Sequence, residues 1–476
     1  MLFNTIDFAI FMPIIFLLYW FVFKRNIKIQ NIFLVLASYF FYACWDWRFL
    51  GLIFLSSIVD YFVGLYLAKT EQKSKRKALL LSSLIVNLGI LGFFKYYNFF
   101  IESFQEVFSL FGRSLESSTL HILLPVGISF YTFQTLSYTI DIYRKRIEPT
   151  NNVVSFFAFV SFFPQLVAGP IERASNLLPQ FERKREFDYS KSIDGLRLIL
   201  LGLFKKMVIA DNCALAVNEI FAYYPEYSGS TLFFGAFFFA FQIYGDFSGY
   251  SDIAIGSARL LGFDLMQNFN SPYLSRNLGE FWRRWHISLS TWFRDYVYIP
   301  LGGNKGSQAK WIRNIFIVFL VSGLWHGANW TFIIWGFIHA LFFMPLILKK
   351  TNANFKDVAD EGKIIPSLKT IFQIGSTFLI VLLAWVFFRA ENVTHALLYF
   401  EGIFSASLFS IPTVSRGLVL FLFIYMIFEW LQRDKKHLLE IDFINSKPLR
   451  IAIYYCLVFI IFYFSGDTQP FIYFQF

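Results

Sequence analysis

The sequence predicts an all-α, polytopic integral membrane protein, and three observations support this fold class. The 476-residue chain is 57% hydrophobic and only 16% charged, whereas an average soluble domain is about one-quarter charged. Apolar runs recur along it, and several reach the roughly 17–20 helical residues that cross a bilayer core. The runs do not alternate apolar and polar residues as the strands of membrane barrels do. Backbone groups inside a bilayer must be satisfied within the segment, so the runs are predicted to be helices.

The apolar runs follow one another with no internal repeat or low-complexity linker, so a single domain is predicted over residues 1–476. The first run has no positive residues before it and no cleavage site after it, which favours a retained helix over a removed signal peptide. Shorter runs are expected to be half-helices or helices with one buried end. The runs are Ile6–Phe23, Asn31–Cys44, Leu50–Leu67, Leu79–Leu91, Leu232–Ile243, Ile315–Trp325, Trp330–Leu348, Ile371–Phe388, Leu418–Phe428 and Ile451–Ser465.

Basic residues between the runs set the predicted orientation. They cluster at 24–28, 69–77 and 144–146, and loops rich in Lys and Arg stay in the cytoplasm. The N-terminus is then extracytoplasmic. These loops also account for the net charge of +10, so nucleic-acid binding is not predicted.

One apolar segment, Val153–Pro170, departs from simple alternation because basic clusters flank it on both sides. It also contains Pro164 and Gly169. A re-entrant element that enters and leaves on one face explains both features, and such backbone is tolerated at membrane depth only where protein or a cavity covers it. The alternative is a kinked full crossing.

A first polar cluster, VSGLWHGANW, places His326 deep in the membrane. About 20 Å of helix separates it from the preceding cytoplasmic arginine, past the middle of a ~30 Å core. Gly323 and Gly327 allow close backbone approach or a helix break. Histidine titrates near working pH and suits a general base. The alternative is a packing histidine bonded to Ser322 or Asn329.

A second cluster lies in the polar interruption 257–313, which is expected to face the cytoplasm as amphipathic interfacial helices. On a helix, His286, Ser290 and Arg294 would share one face. The basic groups there suit the phosphates of an anionic donor, and the alternative is a basic interfacial helix anchored by tryptophans. The candidate phosphate contacts are Arg283, Arg284 and Arg294.

A third cluster, QIYGDFSGYSDIAIG, puts Gln242, Asp246 and Tyr250 on one helical face, and Asp252 follows. Carboxylates in a membrane require partners. They are expected to pair with the arginines of the second cluster or to orient a catalytic group. His339, between apolar neighbours, is predicted to be a buried structural residue. Metal-ligand and phosphate-loop motifs are absent from the sequence, so no metal site is predicted.

Together these stretches resemble the membrane-bound O-acyltransferase family, most closely the bacterial branch that contains the alginate O-acetylation membrane protein. The core motifs span 124–336. The matching stretches are LPVGISFYTFQTLSYTIDIYR (Leu124–Arg144), FFPQLVAGPI (Phe162–Ile171), QIYGDFSGYSDIAIG (Gln242–Gly256), FWRRWHISLSTWFRDYVYIPLGGN (Phe281–Asn304), SGLWHGANWTFIIWG (Ser322–Gly336) and FIYFQF (Phe471–Phe476).

The resemblance implies a ring of about ten to twelve transmembrane and re-entrant helices around a central tunnel. It implies that His326 is the family's catalytic histidine and that His286 occupies the second catalytic position. The acyl donor would enter from the cytoplasm and the acceptor from the other face. Acetyl-CoA is the expected donor, with no metal. The residues expected to bind or orient it are Arg283, Arg284, Arg294, Ser290, Asp246, Tyr250, Trp325 and Asn329.

The predicted function is therefore transfer of an acetyl group across a bacterial inner membrane for O-acetylation of a surface or exported polysaccharide. The expected partners are membrane lipid, the acyl donor, and the polysaccharide or a periplasmic acetyltransferase of the SGNH type. Two alternatives stay open. One is D-alanyl transfer to teichoic acid, and the other is a non-enzymatic transporter or flippase, which would favour inverted repeats.

Overall fold

A computed structural model describes residues 1–111, 119–120, 122–465 and 468–474, and every regular element in these ranges is helical. The chain forms two compact units. Unit 1 comprises Met1–Gly195 and Ala254–Met266, and unit 2 comprises Leu196–Ile253 and Gln267–Phe476. The all-α prediction is confirmed, and each predicted apolar run lies within a helix or its π-helical extension to within one residue.

Three helices of unit 1 begin at side-chain caps, which are Thr5, Asn26 and Asn152. Asn26, for example, accepts hydrogen bonds from the amides of Lys28 and Ile29, which satisfies donors that a helix terminus leaves open. The helices are α1 (Ile6–Leu17), α2 (Ile27–Asp46), α3 (Leu50–Lys69), α4 (Lys73–Leu91), α5 (Tyr97–Leu110), α6 (Ile128–Tyr143), α7 (Val153–Ser161), α8 (Phe163–Leu166) and α9 (Ala174–Glu182).

A buried carboxylate joins three of these helices. Asp60 of α3 is fully buried and accepts hydrogen bonds from Thr139 of α6 at 2.9 Å, from Asn87 of α4 at 2.8 Å and from Ser83 of α4. Because an unpartnered polar group in a low-dielectric interior is costly, these bonds make the relative placement of α3, α4 and α6 specific.

The segment Val153–Pro170 does not form one crossing helix. α7 has nine residues, about 13 Å of helix, and the backbone leaves the helical region at Phe162 before the four-residue α8 begins. A side chain at Gly169 would collide with the backbone of Gln165, so the chain turns tightly there. These lengths agree with the predicted re-entrant element, which stays a prediction.

Unit 2 contains the remaining helices and most of the predicted site residues. α10 enters it from unit 1, and α12 leaves it for unit 1 near its C-terminal end. The helices are α10 (Tyr189–Phe204), α11 (Asp211–Ala222), α12 (Gly229–Leu260), α13 (Leu278–Arg284), α14 (Ile287–Phe293), α15 (Gln308–His326), α16 (Trp330–Leu348), α17 (Leu368–Arg389), α18 (Val393–Ile403), α19 (Arg416–Leu431) and α20 (Lys447–Phe464).

Five helical stretches among the described residues are long and apolar enough to cross a membrane. On α20, Phe459, Phe462 and Tyr463 are exposed in the structure. Such a continuous apolar surface suits contact with lipid. The five stretches are Ile27–Lys69, Lys73–Leu110, Trp330–Leu348, Leu368–Arg389 and Lys447–Phe464.

Within unit 2, α10 and α12 approach closely through glycines. A Cβ at Gly249 would lie 2.7 Å from the carbonyl oxygen of Gly202, and one at Gly245 would lie 2.9 Å from the carbonyl oxygen of Lys205. Small residues let membrane helices come into backbone contact. Beyond this crossing, α10 continues as the π-helical turn Lys205–Ala210, a rare helix type that often marks functional sites. Its first two residues, Lys205 and Lys206, are both buried in unit 2.

The loop that precedes α17 is held by its own side chains. Asp360 accepts a hydrogen bond from the Ser367 amide at 2.7 Å. This bond, together with one from the Thr370 hydroxyl, lowers the pKa of the Asp360 carboxyl to about 2. Asp360 is therefore ionised at neutral pH. Its negative charge stabilises α17 by interacting with the positive end of the helix dipole.

Candidate active site

His326 is the last residue of α15, because the glycine that follows it ends the helix. Gly327 adopts extended backbone (φ −160°, ψ 153°) and ends the helix. A side chain at Gly327 would collide with the ring of Phe332. His326 is 4% exposed, so the tight turn between α15 and α16 holds the imidazole inside unit 2.

The two helices that carry this turn pack in backbone contact. A Cβ at Gly323 of α15 would collide with the carbonyl oxygen of Phe332, and one at Gly336 of α16 would collide with that of Phe319. The expectation of close approach at Gly323 and of a helix break at Gly327 is confirmed. The His326 backbone is thereby fixed at the end of a close helical hairpin.

Aromatic rings surround the His326 imidazole. The ring centroids of Trp325, Trp335 and Phe388 lie 4.9, 5.1 and 5.3 Å from it. The hydroxyl oxygen of Tyr473 lies 3.3 Å from His326 Nδ1. A hydroxyl beside an imidazole nitrogen in an apolar site is the arrangement needed for proton transfer from the hydroxyl.

His286 lies between two short helices and not within one. α13 ends at Arg284, His286 has left-handed backbone (φ 43°, ψ 56°), and α14 begins at Ile287. The prediction that His286, Ser290 and Arg294 share one helical face is therefore wrong at His286. His286 itself is buried in unit 2, at 1% exposure, whereas Arg283 and Arg294 on either side of it are exposed.

Hydrogen bonds fix the orientation of the His286 ring. Its Nδ1 lies 3.1 Å from Asn268 Oδ1, which also accepts a bond from the Ser288 hydroxyl at 2.9 Å. The Asn268 amide nitrogen donates to Ser251 at 3.1 Å, so the oxygen is the atom that faces the histidine. An acceptor there places the His286 proton on Nδ1, which leaves Nε2 as an acceptor in the neutral ring.

Tyr473 and Trp325 bring the two histidines into one site. The Trp325 ring centroid is 4.9 Å from that of His326 and 5.9 Å from that of His286. The Tyr473 ring is 5.9 Å from His326 and 6.5 Å from His286. The predicted pair of catalytic histidines is thus assembled within unit 2 from residues distant in the sequence.

Tyr473 was not a candidate in the sequence, although the motif FIYFQF that contains it was. The short 3₁₀ helix Ile472–Phe474 carries it, and its ring packs 4.4 Å from that of Phe247. Gln475 and Phe476 of that motif lie outside the described residues. The sequence feature that could have indicated Tyr473 is this aromatic motif with a hydroxyl group, which follows the last apolar run.

The carboxylates of the third cluster pair with lysines of the π-helical turn, so the expected pairing with the arginines of the second cluster is wrong. Asp246 is 2.8 Å from the Lys206 ammonium, and Asp252 is 2.8 Å from that of Lys205. The Tyr250 ring lies 4.8 Å from that of Phe471. Neither lysine was a candidate from the sequence, although charged residues inside an apolar run default to functional candidates.

A cavity of about 410 Å³ in unit 2 gathers three of the predicted donor contacts, Arg283, Ser290 and Arg294. Apolar side chains, including Trp282 and Phe319, form most of its lining, and Ser322 lines it one helical turn before His326. Its volume is in the range of small-molecule sites. A second, larger crevice of about 750 Å³ lies between α11 and α19, and neither histidine lines it.

The predicted phosphate-binding arginines also make contacts within the protein. Arg283 donates to the carbonyl oxygens of Asn352 and Asn354 at 2.8 and 2.6 Å. Arg284 pairs with Glu280 at 2.9 Å, and Arg294 pairs with Asp295 at 2.8 Å. The side chain of Arg294 is 59% exposed and that of Arg284 is 13% exposed.

The remaining predicted donor contacts differ in their surroundings. Trp325 lies between the histidines, as described above. Asn329 caps α16 by accepting from the Thr331 amide at 3.0 Å and donates to the Glu391 carbonyl at 2.8 Å. Within the described ranges, no group of three or more His, Cys, Asp or Glu side chains is arranged to hold a metal ion. The donor-binding roles stay predictions.

Membrane-length helices and a buried histidine pair beside a hydroxyl define an integral membrane protein with a site suited to group transfer. A family model described as MBOAT, membrane-bound O-acyltransferase family, matches residues 144–388. The chain belongs to this family, and it is a multi-pass membrane acyltransferase. The matched range contains both candidate catalytic histidines.

Curated relatives match most of the chain. It is 41% identical over 409 residues to the probable alginate O-acetylase of Pseudomonas aeruginosa, covering 86% of this chain and 75% of that one. It is 39% identical over 431 residues to the peptidoglycan O-acetyltransferase of Helicobacter pylori, covering 84% and 79%. The teichoic acid D-alanyltransferase of Bacillus subtilis is more distant, at 28% over 284 residues, covering 57% and 70%.

Proposed function

We propose that this protein takes an acetyl group from acetyl-CoA on the cytoplasmic side and passes it across the bacterial inner membrane for O-acetylation of an exported polysaccharide such as alginate. The 3.3 Å approach of the Tyr473 hydroxyl to His326 Nδ1 carries the chemical part of the proposal. The identity to relatives named for O-acetylation supports the acetyl group and the polymer acceptor.

In the first step, the Tyr473 oxygen attacks the thioester carbonyl of the donor. His326 Nδ1 takes the phenol proton as the carbon–oxygen bond forms, and the carbon–sulfur bond then breaks. The thiolate leaves and receives that proton from His326. The products are an acetyl ester on Tyr473 and free coenzyme A, so atoms and charge balance.

A phenol is a suitable intermediate carrier. Its oxygen is a better leaving group than a sugar alkoxide because free tyrosine has a pKa of about 10, nearer to the about 8.5 of a thiol. The aryl ester therefore keeps most of the transfer potential of the thioester. In the second step, an acceptor hydroxyl attacks the ester carbonyl while His326 takes the hydroxyl proton, and His326 then passes that proton to the departing Tyr473 phenolate.

His286 and the nearby cavity complete the proposal. The Nε2 acceptor of His286 orients a polar group of the donor or the reacting centre, and Asn268 keeps the ring in that tautomer. Arg283 and Arg294 at the cavity place positive charge where the donor phosphates bind. Ser322 leads from this cavity toward His326, which supports entry of the thioester arm along that route.

The final acceptor lies on the extracytoplasmic side. The positive-inside pattern supports an extracytoplasmic N-terminus, and it favours a cytoplasmic position for Arg283, Arg284 and Arg294. A periplasmic acetyltransferase of the SGNH type then moves the acetyl group from Tyr473 to the polymer. Peptidoglycan is the second candidate acceptor because one 39% identical relative is named for it.

The test uses the full-length protein in proteoliposomes with radiolabelled acetyl-CoA. Wild-type protein is expected to acquire label on the peptide that contains Tyr473, as located by mass spectrometry. His326→Ala and Tyr473→Phe are expected to lose that label by 100-fold or more, since general base catalysis typically contributes about 10²–10⁴-fold. Tyr463→Phe on the exposed face of α20 is the matched control.

Wild-type labelling of the protein and of the polymer in Tyr473→Phe would contradict the tyrosine carrier. To assign the acceptor, the labelled protein is offered isolated alginate-type polysaccharide or peptidoglycan with the extracytoplasmic fraction of the cells. Transfer to peptidoglycan alone would replace the exported polysaccharide as substrate. Efficient charging by a D-alanyl carrier protein but not by acetyl-CoA would overturn the acetyl donor.

A further inference from the structure

The segment after α20 folds back into unit 2 and supplies the reacting hydroxyl. α20 ends at Phe464, and Phe471 and Ile472 are buried, at 2% and 1% exposure. Among its described residues, 465 and 468–474, the one regular element is the short 3₁₀ helix Ile472–Phe474. The position of Tyr473 therefore depends on what holds residues 468–472.

Three charged side chains of α10–α12 contact this segment. The Lys206 ammonium lies 2.8 Å from both Asp211 and Asp246 and donates to the Gln469 carbonyl at 3.0 Å. These three acceptors match the three hydrogens of an ammonium. All three side chains are nearly inaccessible, at 8%, 3% and 2% exposure.

Asp246 has a separate contact for each carboxylate oxygen. Oδ1 pairs with Lys206, and Oδ2 accepts a hydrogen bond of 2.6 Å from the backbone amide of Ile472. Ile472 is the residue directly before Tyr473. A buried carboxylate that bonds a backbone amide in a low-dielectric site restrains that amide strongly.

We propose that Lys206, Asp211 and Asp246, here named the C-terminal anchor, position Tyr473 for reaction with His326. The proposal rests on the proposed function, because it assigns the anchor to the same transfer reaction. The three residues are positioning residues, because they act through the backbone of residues 469–472.

The large sequence separation between α12 and the C-terminal segment explains why charged groups hold this segment in place. Ile472 lies 226 residues from Asp246, so no local element orders the segment. Ordering a peptide segment costs conformational entropy that apolar contacts of two buried residues offset only in part. A charge-assisted hydrogen bond adds direction as well as energy, which an apolar contact cannot supply.

The neighbouring pair Lys205–Asp252 provides an internal comparison. It joins the same π-helical turn to the same helix α12 at the same 2.8 Å, and its side chains are 8% and 16% exposed. The Lys205 ammonium also lies 5.6 Å from the centre of the Tyr244 ring of α12. Loss of this pair should weaken the helix contact without moving Tyr473.

The experiment removes each side of the Asp246–Ile472 bond. Asp246→Asn keeps the size of the side chain but replaces one of its two oxygens with an NH₂ group, so either Lys206 or the Ile472 amide loses its acceptor. Ile472→Pro removes the amide hydrogen, and proline suits the first position of a helical turn. Ile472→Val keeps the amide and is its matched control, and Asp252→Asn is the control for Asp246→Asn.

Two readouts are taken on full-length protein in nanodiscs. The first is a single 3-fluorotyrosine at position 473, observed by ¹⁹F NMR, which reports the surroundings of the ring without any reaction. The second is the single-turnover rate of acetyl transfer to Tyr473, with the KM for acetyl-CoA measured separately. Displacement of a reacting group by about 1 Å costs on the order of 100-fold in rate.

The anchor predicts a shifted or broadened ¹⁹F resonance and a rate about 100-fold lower in Asp246→Asn and in Ile472→Pro, with unchanged KM. Ile472→Pro should be at least tenfold slower than Ile472→Val. The double variant should be no slower than the slower single variant, because both changes remove one bond.

A ¹⁹F resonance at its wild-type position in Asp246→Asn and Ile472→Pro would overturn the proposal. Equal effects of Asp246→Asn and Asp252→Asn on the resonance and on the rate would also overturn it, since they would indicate a general loss of helix packing. The ¹⁹F readout separates the two proposals. If the anchor variants shift the resonance but the wild-type protein never acquires acetyl on Tyr473, the anchor is supported and the role of Tyr473 as acetyl carrier is contradicted.

Discussion

At the scale of single residues, the site depends on which nitrogen of His286 carries its proton. Asn268 Oδ1 accepts from Ser288 and faces His286 Nδ1, while its amide nitrogen is committed to Ser251. This set of bonds permits one neutral tautomer. Asn268 thus acts on the reaction through the His286 ring and is a positioning residue.

We expect Asn268→Ala to lower the single-turnover rate of acetyl transfer by about 10- to 100-fold, because the His286 ring loses the acceptor that orients it. Ser288→Ala, which keeps the Asn268–His286 bond, is the matched control. The amount of protein inserted in the membrane is measured in parallel. Equal rates in the two variants would exclude an orienting role for Asn268.

At the scale of helices, hydropathy predicted the elements well because the bilayer demands long apolar segments with internally satisfied backbones. α13 and α14 were harder to predict because the chain breaks at His286, whose left-handed backbone no sequence pattern indicated. The sequence also identified His326 and its glycines. Tyr473 and Lys206 were missed because their contacts with His326 and Asp246 join segments far apart in the chain.

The α15–α16 hairpin makes a testable claim about helix contact. Gly323→Ala places a methyl group against the Phe332 carbonyl oxygen, and overpacking of this kind typically costs about 1–3 kcal/mol. A methyl group at Gly375 of α17 would instead enter open space, with no neighbouring atom within 4 Å. Gly375→Ala should therefore be neutral or stabilise by up to about 1 kcal/mol.

The midpoint temperature of unfolding in detergent checks this pair of variants. Gly323→Ala is expected to lower it and to reduce acetyl transfer, because His326 lies one turn further along α15. Gly375→Ala is expected to leave transfer intact. A Gly323→Ala protein with wild-type midpoint and wild-type rate would show that the hairpin relaxes easily and does not fix the histidine.

At the scale of the whole molecule, the proposed function has donor and acceptor reach the site from opposite sides of the membrane, so it depends on the orientation of the helices. The 22-residue α17 is about 33 Å long, enough to cross a ~30 Å core. Ile365, before it, and Ile411, beyond α18, are 79% and 82% exposed. The charge pattern predicts that Ile365 is cytoplasmic and that Ile411 is extracytoplasmic.

Single cysteines at these two positions, in protein whose three native cysteines are replaced, test this orientation. In intact spheroplasts, a membrane-impermeant maleimide should label Ile411→Cys at once and Ile365→Cys only after permeabilisation. Labelling of both from the same side would mean that α17 does not cross the membrane. The reverse pattern would mean that the basic loops face outward, and a cytoplasmic acetyl donor would then meet the site from the wrong face.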